Sequence, residues 1–202
     1  MQRRTRRLVL GSASPRRLEM VASLGIPFVV RAPHVDETPV AGEPAELYLE
    51  RVVAAKLAAV RAGNLGDADG VLVADTVVVA PDGAILGKPR DDDDARAMLT
   101  TLAGRTHRVS TRFALAAPRG REAPWQAETV TTQVVFRALD AAEIDAYVAT
   151  GEGKDKAGSY AVQGLAASFV ARIEGSYTAV VGLPLSEVVL ALRALGWLGP
   201  QA

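Results

Sequence analysis

An α/β fold built on a mixed sheet is what this sequence predicts, and three observations lead there. Short apolar runs rich in β-branched residues alternate along the chain with stretches of helical spacing. The run Val71–Ala80 is almost wholly apolar, which suits a central strand buried on both faces. Pro81-Asp82-Gly83 then makes a connection short enough for a hairpin, which a purely parallel sheet does not contain.

The elements follow in order. Leu8–Leu10 is a strand stopped by Gly11-Ser12-Ala13-Ser14-Pro15. Ser14 then Pro15 is an N-cap followed by N1, opening a helix that turns Leu18, Val21 and Ala22 inward and stops at Gly25. Phe28–Val30 is a second strand, and a loop from Pro33 to Pro44 carries Asp36-Glu37-Thr38. From Ala45 to Ala62, Leu47, Val52, Val53, Leu57 and Val60 recur at helical spacing. Ala84–Leu86 pairs back on the central strand, and Gly87-Lys88-Pro89 ends it. Asp91–Leu102 reads as a helix with an acidic first turn, followed by strands at 106–116 and 128–138 joined by a polar loop with Pro118 and Pro124. Asp140-x-x-Glu143 is a capping box for a helix ending at Gly151. Strands are expected near 159–163, 168–173 and 177–181, with a turn at Glu174-Gly175-Ser176. Pro184 opens a last helix with Leu185, Val188, Val189, Leu192 and Leu195 inward.

Composition narrows the function classes. The chain has 202 residues, a length that at roughly 150 residues per domain fits one large domain or two small lobes. Its 49% apolar and 23% charged residues are globular proportions. The absence of cysteine excludes a disulfide framework, thiolate-bound zinc, iron–sulfur clusters and a cysteine nucleophile. With 23 basic and 23 acidic residues the net charge is zero, so no nucleic-acid partner is expected. No apolar run approaches the roughly 20 residues of a membrane span, so no membrane partner is expected either. The basic run Arg3–Arg7 is followed only by Leu8-Val9-Leu10, too short for a secretory signal, and a cytoplasmic protein is expected.

Charged residues in places that fold physics disfavours are the most informative feature. Arg16 and Arg17 fall in the first turn of a helix, at the positive end of its dipole, unless an anion sits there. Free backbone N–H groups and the Ser12 and Ser14 hydroxyls would complete such an anion site; two solvated arginines fit the same pattern. Lys56 lies three residues from Val53 and four from Val52 and Val60, which places its stem on an apolar stripe, either buried or snorkelling from the edge. Asp75 interrupts Val71–Ala80, where a carboxylate must be paired, hydrogen-bonded or metal-bound, unless a bulge carries it. Strict alternation puts Asp75 and Thr76 on opposite faces, so one pocket can use both only if the strand bends or ends. Lys88, Lys156 and Gln163 stand in glycine-flanked loops or at a strand end. His34 and His107 have no acid at motif spacing, and neither standard phosphate-cradling glycine motif occurs. Arg16, Arg17, Lys56, Lys88 and Lys156 set against Glu37, Asp75 and Asp155 describe a polyphosphate site with a divalent metal.

Six blocks, in order, resemble the Maf family of nucleoside triphosphate pyrophosphatases. They are Ser12-Ala13-Ser14-Pro15-Arg16-Arg17, Ala74-Asp75-Thr76-Val77-Val78, Gly87-Lys88-Pro89, Asp155-Lys156-Ala157-Gly158-Ser159-Tyr160, Gln163-Gly164, and Gly175-Ser176-Tyr177 with Val181-Gly182-Leu183-Pro184. The resemblance covers about 8–195, and Ser159 stands where the family usually has alanine. It implies an inosine-triphosphatase-like mixed α/β fold with two lobes around a central cleft, often dimeric. The expected organisation is a basic tail over 1–7 and one such domain over 8–198, with a homodimer possible. It also implies hydrolysis of dTTP and UTP, with modified pyrimidine nucleotides in range, to the monophosphate and diphosphate. Asp75 matches the proton acceptor, and Arg16, Thr76 and Gln163 match the specificity positions. Lys56 and Lys88 are placed with Asp75 in catalysis, while Ser12, Arg17 and Lys156 join the substrate-binding set. Glu37 and Asp75 are expected to hold the divalent cation, Mg²⁺ or Mn²⁺. The alternatives are an N7-methylguanosine triphosphate pyrophosphatase and a non-enzymatic nucleotide-binding regulator of cell division.

Overall fold

A computed structural model describes residues 6–40, 42–120 and 124–199. Residues 1–5 of the expected basic tail, and part of the polar loop before Pro124, lie outside the described residues. Arg7 pairs with Asp67 at 2.7 Å, and the Arg6 guanidinium stands 5.3 Å above the Trp197 ring.

The described residues form seven strands in one sheet with helices around it. The order is β2 (Phe28–Val30), β1 (Leu8–Leu10), β3 (Gly70–Val79), β5 (Thr106–Ala116), β6 (Gln126–Phe136) and β7 (Val170–Glu174), with β4 (Ile85–Leu86) on β3. β1 runs parallel to both neighbours, Leu8 lying opposite Phe28 and Gly70. β4 is antiparallel to β3, and β7 to β6, so the sheet is mixed, as the sequence predicts. The helices are α1 (Pro15–Ala22), α2 (Ala45–Ala62), α3 (Asp92–Leu102), α4 (Ala141–Thr150), α5 (Tyr177–Val181) and α6 (Leu185–Ala194).

The chain divides into two compact units. The first comprises residues up to Asp75, Arg112–Thr129 and the chain from Gly182; the second comprises Thr76–Thr111 and Val130–Val181. In the first unit, strand alternation sorts the core onto two faces. Leu8, Leu10, Leu72, Ala74, Phe113 and Leu115 pack with Val21 of α1 and with Val188 and Leu192 of α6. Their neighbours Val9, Val71, Val73, Ala114 and Ala116 pack with Val53, Leu57 and Val60 of α2. Both faces are covered, which is why these strands read as continuous apolar runs. Leu47 and Ala22, expected inward, are exposed, whereas Tyr48 and Leu49 are buried.

In the second unit α3 packs on α4, whose capping box between Asp140 and Glu143 is formed and whose end is the left-handed Gly151. Two expected strands are absent there. Residues 177–181 form α5 because Ser176 caps it, its Oγ accepting the Ala179 N–H at 3.2 Å and its carbonyl the Val180 N–H. Residues 159–163 are irregular: Gly158 and Ser159 both have φ near +60°, at 67° and 60°, which breaks an extended start. Phe136, Tyr147, Tyr160 and Phe169 pack edge-to-face beneath, with His107 among them.

His107 is 1% exposed, and its Nε2 shares a hydrogen bond with the Tyr160 hydroxyl at 2.8 Å. Burial pushes its pKa down to about 4 from an ordinary 6.5. The unfolded chain therefore takes up a proton at a higher pH than the folded one. Above pH 6.5 neither form is protonated and the group contributes nothing; as pH falls from 6.5 towards 4, stability is lost. By pH 5 the loss is about 2 kcal/mol. Calorimetry at pH 7.5 and pH 5 should show a smaller drop in Tm for His107→Gln than for the native protein, and an equal drop in both would refute this.

Candidate active site

The first unit gathers most of the residues singled out in the sequence. β1 runs into Gly11, where an added Cβ would lie 2.7 Å from side-chain carbons of both Val60 and Val73. Only glycine lets the turn lie this close to α2 and β3. The turn delivers Ser12, which is buried, its Oγ accepting the Ser14 N–H at 3.2 Å. α1 then begins with Ser14 at the N-cap and Pro15 inside it, but the Ser14 hydroxyl makes no capping bond. Arg17 folds back, donating from Nε to the Gly182 carbonyl at 2.6 Å and from one terminal nitrogen to Ser12 Oγ at 3.4 Å. Burial pushes the Arg17 pKa down, Asp75 opposes that, Arg16 adds to it, and Glu37 opposes it again. The guanidinium remains cationic throughout any working pH. Arg16, its neighbour on the helix, is half-buried.

Asp75 lies inside β3 and not at its end, since the strand continues to Val79. It has the parity of Val71 and Val73, the residues that pack under α2. On α2, Lys56 belongs to the stripe of Val53 and Val60. The ion pair is thus the next rung of an otherwise apolar interface. Lys56 and Asp75 are 6% and 7% exposed, and Lys56 Nζ donates to Asp75 Oδ1 at 2.6 Å. The same Nζ meets Glu37 Oε1, from the loop that follows β2, at 2.8 Å. Snorkelling is excluded: the ammonium ends inside, between two carboxylates.

Tyr48 is a member of this group that the sequence analysis missed. It is buried, and its hydroxyl donates to the Glu37 backbone carbonyl at 3.0 Å, tying the loop to α2. Burial, then the charges of Asp75 and Glu37, raise its pKa, so it remains a phenol. Its signal was the spacing Tyr48, Val52, Lys56, one residue every four along α2.

The second unit holds the remaining candidates. Thr76, half-buried, shares a hydrogen bond with Thr111 at 2.8 Å. Lys88 is exposed in the segment after β4. Lys156 is partly buried and pairs with Asp155, which is therefore an ion-pair partner within its own loop. Gln163 is exposed in a turn closed by Gly164 N–H on the Ala161 carbonyl at 3.0 Å, not at a strand end. Nearby, Glu152 accepts the Leu165 and Ala166 amides at 2.8 and 3.3 Å and holds that turn in place. Thr111 also escaped notice, although it is a fully buried hydroxyl sharing the parity of Val109 and Phe113.

The donor set suits a hard divalent cation. Among the described residues no three His, Cys, Asp or Glu side chains form a metal cluster. Magnesium, however, is commonly held by one or two carboxylates with substrate phosphates completing its shell. Glu37 and Asp75, both against one cationic nitrogen, supply that number of oxygen ligands.

The chain is similar to known proteins along nearly its whole length. A family model described as Maf-like protein matches residues 7–195. A protein of Hahella chejuensis named dTTP/UTP pyrophosphatase is 48% identical over 193 residues, 95% of this chain and 93% of its own. Proteins of the same name from Myxococcus xanthus and Methylococcus capsulatus are 50% and 47% identical, covering 94% and 97% of this chain and 92% and 94% of theirs. A solved nucleoside-triphosphatase / dITP/XTP pyrophosphatase from Mycobacterium abscessus aligns with 96% of this chain and 100% of its own at a TM-score of 0.43 and 15% identity. With a family match along nearly its whole length and relatives identical at about every second position, this chain belongs to the Maf-like protein family.

Proposed function

We infer that this protein is a nucleoside triphosphate pyrophosphatase that hydrolyses dTTP and UTP, and modified pyrimidine nucleotides of the same shape, to the monophosphate and diphosphate. The observation that carries the reading is the buried Lys56–Asp75 pair in a chain whose relatives bear that activity in their names. Two charges removed from water at a helix–sheet interface are typically no more stabilising than apolar residues of the same volume, so chemistry, not stability, accounts for them.

Water attacks the α-phosphorus. A new oxygen–phosphorus bond forms there, the bond to the bridging oxygen of the β-phosphate breaks, and diphosphate departs. Asp75 accepts the proton of the attacking water. Lys56, held on Asp75 and Glu37, fixes the orientation of that carboxylate and contributes positive charge. Ser12, Arg17 and the N-terminus of α1 bind phosphate oxygens, and Lys88 and Lys156 add cationic charge, the dominant contribution expected for phosphoryl chemistry. Arg16, Thr76 and Gln163 read the pyrimidine. A divalent cation, Mg²⁺ or Mn²⁺, bound by Glu37 and Asp75 would supply further neutralisation of the phosphates.

The family resemblance supports a homodimer. A cytoplasmic setting fits a charge-balanced chain in which, among the described residues, no helix is long and apolar enough to cross a membrane.

Measured as diphosphate release with Mg²⁺, the native protein should turn over dTTP and UTP and leave N7-methylguanosine triphosphate largely intact; tight binding without release would point to a regulator. Asp75→Asn should lower turnover at least roughly 100-fold, the scale of acid–base catalysis; retention of most activity in a folded variant would remove Asp75 from the role of base. Lys56→Met strands a buried carboxylate and should cost about 3–5 kcal/mol in chemical denaturation. A variant as stable as the native protein would show that the pair is solvated.

A further inference from the structure

Residues 36–40, which carry Glu37, belong to no helix or strand and are all exposed, so burial does not shape them. Side chains hold their backbone instead. Asp36 Oδ1 accepts the Thr38 N–H at 2.8 Å, a turn that closes around Glu37. The Glu37 carbonyl accepts from the Tyr48 hydroxyl at 3.0 Å, and the Thr38 carbonyl from a terminal nitrogen of Arg51 at 3.0 Å. The Val40 N–H donates to Glu43 Oε2 at 3.1 Å. Arg51 and Glu43 are themselves clasped: Nε donates to Oε1 at 2.8 Å, and the nitrogen that holds Thr38 donates to Oε2 at 2.7 Å. Such a two-pronged contact is the strong form of an arginine–carboxylate pair. The Arg51 guanidinium also lies 5.4 Å above the Tyr48 ring, as side chains three apart on one helix allow. Tyr48, Arg51 and Lys56 all belong to α2. The helix whose ammonium meets the Glu37 carboxylate therefore also fixes the Glu37 backbone, while the carboxylate itself, on a side chain 46% exposed, keeps room to turn.

We propose that Arg51 is a positioning residue for the divalent cation: clasped to Glu43 and holding the Thr38 carbonyl, it sets the backbone that presents Glu37 beside Lys56 and Asp75. Without the clasp an exposed segment with no apolar anchor samples many conformations, and a cation has to order it on binding. With the clasp that ordering is already done. The inference rests on the reading of Glu37 as a ligand of the cation.

The test is Mn²⁺ binding, followed by loss of the free ion's paramagnetic resonance signal, in the native protein, Glu37→Gln, Arg51→Met and the double variant. Arg51→Met should bind Mn²⁺ roughly tenfold more weakly than the native protein, the equilibrium cost of ordering about one residue. The double variant should bind no more weakly than Glu37→Gln alone, because Arg51 acts only through Glu37; losses that add would give Arg51 a general structural role and overturn the proposal. In diphosphate release from UTP, Arg51→Met should raise the Mg²⁺ concentration for half-maximal rate by a similar factor and leave kcat at saturating Mg²⁺ unchanged. Glu43→Gln opens the clasp from its other end, so an Arg51→Met that fails to fold does not shelter the proposal: native Mn²⁺ affinity in Glu43→Gln overturns it. Native affinity in Glu37→Gln would remove Glu37 from the cation, and this inference with it. Absence of diphosphate release from the native protein would instead overturn the pyrophosphatase reading, and the Mn²⁺ measurements would still decide the role of the clasp.

Discussion

A lysine and an aspartate inside a helix–sheet interface constrain the first unit more tightly than any apolar contact in it. Hydrophobic packing between α2 and β3 is tolerant: Val, Leu and Ala exchange with small adjustments, and a slip of the helix would still bury apolar surface. The Lys56–Asp75 contact is not tolerant. Each charge has left water, and only a partner at hydrogen-bonding distance compensates it. The pair therefore adds a directional contact to an interface that is otherwise non-directional packing. Other close contacts surround it: Gly11 approaches Val60, Tyr48 reaches back to the Glu37 carbonyl, and Ser12 lies buried beside Arg17.

The same strand that presents Asp75 on one face presents Thr76 on the other, through nothing more than the pleat. The first is tied to a cation on α2 and the second to a hydroxyl on β5. A sheet covered on both faces can hold polar groups at inward positions only where each is satisfied, and the two faces solve that problem differently: by charge pairing in one unit, by relayed hydroxyls in the other. The charge pairing removes rotational freedom from Asp75, a side chain that the proposed chemistry needs in one orientation, so the physics of burial does part of the work of preorganisation.

How much of this could be read from the sequence depends on the range of the interaction. Asp75 was conspicuous because local pattern alone shows a carboxylate in a valine-rich strand, and Lys56 because its spacing sets it on an apolar stripe; one contact in space explains both anomalies. The helices α2, α3 and α4 were legible for the same reason, being set by periodicity and caps within a few residues. Residues 177–181 were not, because their β-branched composition argues for a strand while the Ser176 cap and the Thr132 contact, formed across the fold, decide for a helix. Gln163 looked like the end of a strand because nothing local reveals that Ser159 adopts a left-handed conformation. Thr111 does not stand out in the sequence for a simpler reason: threonine is an ordinary strand residue, and only the folded position of the Ala179 carbonyl shows what its buried hydroxyl meets.

Glu37 and Asp75 grip the same ammonium, yet they are mechanically unlike. Asp75 is fixed by ten residues of strand and two covered faces, whereas the Glu37 side chain is 46% exposed on a loop. Displacing Asp75 would uncover a buried charge; displacing Glu37 exchanges one salt bridge for water, a change worth little at an exposed position. Of the two carboxylates, the one with room to shift is therefore the one on the loop, and a shift there would leave Lys56 its buried partner. In the proposed mechanism Asp75, fixed by the fold, suits both the proton and the cation, whereas Glu37, on its loop, suits a cation ligand whose position can adjust; where the fold has put each acid separates them more than the identity of either side chain.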